Sequence, residues 1–132
     1  MGQLDIFSLD GRVAVVTGGG GGIGSALAVA FAQAGAKVAV AGRNAEPLEA
    51  VVARITEAGG EGMSVTADVT TEADAEQMVQ AVVERFGRID LLVNAVGGGA
   101  GKVLHPAEAY PRDDWDWIMA VSYTHLTLPT KA

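Results

Sequence analysis

The sequence predicts an α/β fold with a doubly wound parallel sheet. Three observations carry this. Apolar runs of strand length alternate with apolar-periodic segments of helix length, from about residue 12 to residue 94. Glycines punctuate the joins at Gly35, Gly59-Gly60 and Gly87. The second and fourth apolar runs are nearly continuous, as strands covered on both faces read. Right-handed crossovers then set the strands side by side in one sheet.

The first strand is expected over about Arg12 to Thr17, and a glycine turn follows it. The first helix is expected from Gly22 to Ala34, with Ile23, Ala26, Leu27, Ala30, Phe31 and Ala34 as its apolar stripe and Gly35 as its stop. Lys37 to Ala41 reads as the second strand. Asn44 can cap a second helix, with Pro47 in its first turn and Leu48, Val51, Val52 and Ile55 as its stripe. Gly62 to Ala67 reads as the third strand. Thr70 or Thr71 can cap a third helix, whose positive end carries Glu72 and Asp74. Its stripe is Ala75, Met78, Val79, Val82, Val83 and Phe86. Ile89 to Asn94 reads as the fourth strand. A glycine-rich loop, Gly97 to Gly101, leads to an irregular stretch, and Asp113 or Asp114 can start a fourth helix.

Bulk properties narrow the function. The 132 residues suffice for one domain with a core. A formal charge of −7 with no Lys/Arg cluster argues against a nucleic-acid surface. Cysteine is absent, so neither a disulfide framework nor a thiolate metal site is expected, and the cytoplasm is the default compartment. No basic, apolar leader pattern opens the chain. Residues 13–36 carry no charge, but the consecutive glycines among them and the helical period after them argue against a membrane span.

The glycine run can be read in three registers. Gly19-x-Gly21-x-x-Gly24 fits the general dinucleotide fingerprint, which predicts an acid about 20 residues on for the ribose hydroxyl. The second strand instead ends in Ala41-Gly42-Arg43. A P-loop reading fails, because Ser25 follows Gly24 where Lys is required, and Gly101-Lys102 lacks both its first glycine and its hydroxyl. The third register is Thr17-Gly18-x-x-x-Gly22-Ile23-Gly24. In it the chain resembles the short-chain dehydrogenase/reductase family, over about residues 7–120. Asp68-Val69 falls where that family places an Asp on the adenine. Asn94-Ala95-Val96-Gly97 resembles the family's Asn-Asn-Ala-Gly, with its second Asn and its Ala replaced.

The resemblance implies a Rossmann-type sheet, incomplete here, with strands one to four and their flanking helices. It implies a nicotinamide cofactor held by Thr17, Gly18, Gly20, Gly21, Gly22, Ile23, Gly24, Arg43, Asp68, Val69, Asn94, Ala95 and Gly97. NADP is preferred over NAD. Arg43 can pair with a 2′-phosphate, and Gly42 stands where NAD-selective members carry Asp. Against this, Gly21 stands where NADP-using members often carry a basic residue. The implied partner is a small carbonyl or alcohol substrate, with no nucleic acid and no membrane, in a homo-oligomeric parent. The segment Ile6 to Val13 with Gly42-Arg43-Asn44 resembles members that oxidise sugar acids such as gluconate. The same half also resembles 3-oxoacyl-carrier-protein reductases, and the two stay open.

The family's catalytic Tyr-x-x-x-Lys is missing. Tyr110 is followed four residues later by Asp114, and Tyr123 by Thr127. Trp115 lies seven residues before Ser122, which stands where the family carries Asn. Ser122 and Tyr123 are not a catalytic pair, since adjacent helical residues face apart. Residues 121–130 back-translate as GTC TCT TAT ACA CAT CTG ACG CTG CCG ACG, which resembles the mosaic-end adapter of transposon-based sequencing libraries. The expected organisation is a partial nucleotide-binding domain over 1–120 and a non-native tail over 121–132. His125 then has no ligand role, and His105 reads as a solvated or capping histidine. The fragment is expected to be inactive. A non-catalytic dinucleotide-binding regulator is the alternative, with a P-loop nucleotide hydrolase behind it.

Overall fold

The computed structural model describes residues 6–96, with Arg112, Asp113 and Asp116. Seven elements alternate: β1 (Val13–Thr17), α1 (Gly22–Gln33), β2 (Lys37–Gly42), α2 (Ala45–Glu57), β3 (Glu61–Thr66), α3 (Glu72–Phe86) and β4 (Leu91–Asn94). The strands form one parallel sheet in the order β3-β2-β1-β4. The chain therefore winds outward from β1 to β3, then crosses back to place β4 on the other side of β1. Gly35, Gly59 and Gly87 all have positive φ, so each predicted stop is a left-handed turn that a side chain would strain.

Alternation along the strands separates two cores. Val16, Val38 and Val40 face α1 and α2, packing on Ala28, Ala32, Leu48, Val51 and Ile55. Val13, Val15, Ala39 and Ala41 face the other way and pack on Met78 and Val82 of α3. Leu48 and Ile55 are fully buried, each contributing on the order of 1.5–3 kcal/mol. The predicted stripe of α2 is borne out. In α3 the buried set is Ala75, Met78 and Val82, while Val83 is exposed.

Two expectations are corrected. α1 turns Gly24, Ala28 and Ala32 to the sheet, and Ile23 of the expected stripe is 77% exposed. Apolar residues occupy nearly every position of α1, so periodicity could not choose a face. Packing chose it instead, because the smallest side chains let the helix lie close on the strands. Likewise β4 is half-buried along Leu91–Val93, not covered on both faces, and among the described residues it pairs with β1 alone. No described helix is long and apolar enough to cross a membrane.

Candidate functional site

The turns leaving the four strands meet at one edge of the sheet. They enclose a cavity of about 310 Å³, within the range of small-molecule sites. Its wall takes Gly18, Gly20 and Gly21 from the turn after β1, and Gly42, Arg43 and Asn44 from the end of β2. Ala67, Asp68, Val69 and Thr70 follow β3, Ala95 and Val96 follow β4, and Pro47 and Leu48 of α2 close the wall. Winding reverses between β1 and β4. Open α/β sheets take their ligands at the strand ends beside such a switch point.

The glycine turn is shaped by its neighbours. The Gly18 and Gly19 N–H groups donate to the Ala41 carbonyl at 2.9 and 3.2 Å. Gly18 has φ +70°, and a Cβ there would lie 2.6 Å from the Ala95 oxygen. A Cβ on Gly24 would strike the Gly18 carbonyl oxygen. Those two glycines answer to the protein's own packing. At Gly22 a Cβ would meet nothing within 4 Å among the described residues.

The helix ends differ in the same telling way. α3 satisfies its own N-terminus: Thr71 Oγ1 accepts from the Asp74 N–H, and Glu72 and Asp74 sit in the first turn. α1 has no side-chain cap and no acid in its first turn. Its N-cap residue, Gly21, lines the cavity. An uncapped helix start keeps N–H groups without intrahelical partners and a partial positive charge, which suit an anion. Asn44 occupies the N-cap position of α2, as expected, but its side chain makes no capping hydrogen bond and stands on the cavity wall.

Around the rest of the wall, polar groups are held in place. Asp68 Oδ1 accepts from the Thr70 N–H at 3.0 Å and the Thr70 hydroxyl at 2.6 Å. Arg43 is exposed and makes no ion pair or hydrogen bond among the described residues. Behind the cavity, Thr17 is the buried polar residue of β1. Its hydroxyl lies 3.3 Å from both the Val93 carbonyl and Asn94 Oδ1, which ties β1 to β4.

Of the expected site residues, Gly18, Gly20, Gly21, Arg43, Asp68, Val69 and Ala95 line this cavity together. Thr17, Gly22, Ile23, Gly24 and Asn94 stand beside it without lining it, and Gly97 lies outside the described residues. Sequence reasoning passed over Pro47, Leu48, Ala67 and Val96 as wall residues, and weighed Thr70 only as a cap. The Asp68-x-Thr70 spacing of an Asx turn was a usable signal for Thr70.

At the opposite end of the strands Asp90 closes the base of the sheet. It takes the Val13 N–H on Oδ2 and pairs with Arg88 and Arg12. The Val13 N–H holds its carboxyl below the ordinary value of 3.8, aided by Arg88 and Arg12 and opposed by partial burial.

Strand order and a cavity at the switch point make this a doubly wound α/β protein of Rossmann type. The profile described as short chain dehydrogenase matches residues 12–132. The chain is 40% identical over 126 residues to D-threitol dehydrogenase of Mycolicibacterium smegmatis, covering 96% of this chain and 47% of that one. It is 39% identical over 118 residues to the rhamnolipids biosynthesis 3-oxoacyl-(acyl-carrier-protein) reductase of Pseudomonas aeruginosa, covering 89% and 44%. Its structure resembles NAD+-bound xylitol dehydrogenase with a TM-score of 0.81 and 37% identity, over 88% of this chain and 44% of that one. The chain belongs to the short-chain dehydrogenase family. It spans about half the length of the relatives it matches.

Proposed function

We propose that this chain is the cofactor-holding half of a nicotinamide-dependent short-chain oxidoreductase. The observation that carries the reading is the start of α1: uncapped, free of acids, and opening onto the cavity through Gly21. A pyrophosphate fits that donor set, because two negative groups can take the first-turn N–H groups where no side chain intervenes.

When bound, the cofactor supplies or accepts the hydride exchanged with a carbonyl or alcohol carbon. The chain's own residues bind and orient. Gly20, Gly21 and the N–H groups of Gly22, Ile23 and Gly24 hold the phosphates. Asp68 and Val69 receive the adenine, and Arg43 pairs with a ribose 2′-phosphate, which favours NADP over NAD. Thr17 and Asn94 keep β1 and β4 in the register that sets Gly18 against Ala95. Relatives named for D-threitol and for a 3-oxoacyl group on acyl-carrier protein support a small carbonyl or alcohol substrate. The catalytic Tyr and Lys lie outside residues 1–120. These 132 residues alone bind cofactor without turning substrate over. The parent is a cytoplasmic homo-oligomer in this reading.

Thermal unfolding tests the binding claim. NADPH at about 100 times its Kd is expected to stabilise the chain by about 2.7 kcal/mol, and an unchanged midpoint with saturating NADPH and NADH overturns it. Gene sequence past codon 120 tests the rest. A continuing reading frame with Tyr-x-x-x-Lys supports an enzyme and an appended tail over 121–132. A frame without the motif favours the regulator.

A further inference from the structure

α2 and α3 both begin on a residue type that caps helices, and only α3 is capped. Asn44 and Thr71 stand at the N-cap positions with extended backbone. Such a side chain takes the N–H of the second or third helical residue. In α3 the third residue is Asp74, and its N–H reaches Thr71 Oγ1 at 3.3 Å. In α2 the third residue is Pro47, which has no N–H to give. The Glu46 N–H, second in line, is not taken either. The Asn44 side chain therefore makes no hydrogen bond among the described residues. It lines the cavity instead, beside Arg43, whose guanidinium is likewise without a partner among them.

We propose that Asn44 is a specificity-determining residue for the cofactor, released from the helix by Pro47 and serving as a second donor to the ribose phosphate that Arg43 takes. The inference rests on the assignment of Arg43 to a 2′-phosphate above. A carboxamide carries two N–H donors. A phosphate monoester keeps an acceptor oxygen after a guanidinium has bonded to two of its three. Asn44 brings no charge of its own, so it adds geometry to the charge that Arg43 supplies. A ribose hydroxyl offers one oxygen in place of three, so the pair favours the phosphorylated cofactor. The helix tolerates the arrangement because Glu46, in the first turn of α2, sets a negative charge at its positive end.

The test measures Kd on the full chain for NADPH and NADH, with thermal unfolding of the free protein alongside. The wild-type chain is expected to favour NADPH. Asn44→Ala is expected to cut that preference about three- to tenfold, the worth of one exposed hydrogen bond. It should leave the unfolding midpoint unmoved, since no cap is lost. Asn44→Asp keeps the size and sets a charge against the phosphate, so it should cut the preference further. A purely structural cap predicts the opposite pair of results, a lower midpoint with Asn44→Ala and an unchanged preference. In a Pro47→Ala chain residue 47 has an N–H again, and there Asn44→Ala is expected to lower the midpoint. A preference unmoved by both Asn44 variants overturns the proposal. So does a midpoint shift from Asn44→Ala that is the same with Pro47 as without it. A wild-type chain that binds both cofactors equally overturns the assignment of Arg43 and this proposal with it. One that binds neither overturns the dinucleotide reading itself.

Discussion

Val13 and Asp90 bind each other twice. The Val13 N–H donates to Asp90 Oδ2 at 2.9 Å, and the Asp90 N–H donates to the Val13 carbonyl at 2.8 Å. The first residue of β1 is thereby locked to the residue preceding β4, across 77 positions of sequence. The Asp90 side chain is 11% exposed, while its partners Arg12 and Arg88 reach into solvent.

A pH dependence follows, with a definite sign. The folded state holds Asp90 below 3.8, chiefly through the Val13 N–H. The ionised carboxylate therefore stabilises the fold fully above the unfolded value, and that contribution is lost as pH falls through the lower folded value. Asp90→Asn is expected to lower the urea midpoint at neutral pH. The gap from wild type should narrow as pH drops below 3.8. A gap of equal size at about pH 7 and about pH 2.5 would refute the assignment.

Gly18→Ala should fail on two counts. The residue has φ +70°, and the new methyl would sit 2.6 Å from the Ala95 oxygen and 2.8 Å from the Val96 nitrogen. Backbone atoms cannot rotate out of the way. A loss of at least about 1 kcal/mol in unfolding free energy is expected, with weaker NADPH binding measured alongside. Gly22→Ala is the control, since its methyl meets nothing within 4 Å among the described residues. It should leave stability nearly unchanged and show its effect only in ligand affinity. Equal destabilisation by both substitutions would remove the distinction drawn between them.

Arg43→Gln addresses the choice of cofactor. With no partner of its own among the described residues, Arg43 has nothing to lose in the free protein. Its removal should leave the unfolding midpoint within error. Affinity for NADPH should fall about tenfold, the worth of a charge-assisted pair, while affinity for NADH stays level. A fall of equal size for both cofactors would place Arg43 elsewhere than on the 2′-phosphate.

Much of this was legible because each element announced itself with independent signals. β1, β2 and β4 were apolar runs, and Gly35, Gly59 and Gly87 closed helices at residues with positive φ. The third helix opened on Thr71 with acids behind it. Where the signals were degenerate, reading failed. α1 is apolar on every side, so Ile23 could be assigned inward as readily as Gly24. Asp90 gave no warning at all. A single acid before a strand has no pattern, and its value comes from Val13, far away in sequence. Thr70 is the intermediate case. Its local turn could be read from spacing, but its place on the cavity wall needed the third dimension.

The brace around Gly18 has a consequence for how a ligand is met. The Ala41 carbonyl holds the turn from one side, and the chain leaving β4 presses on it from the other. Both constraints come from the protein's own backbone. A turn held in this way by its own chain has less freedom to lose when a ligand binds beside it. Fold stability and ligand affinity are linked through this one small residue. Whatever loosens the sheet between β1 and β4 will first be felt as slack in the cradle, well before the chain unfolds.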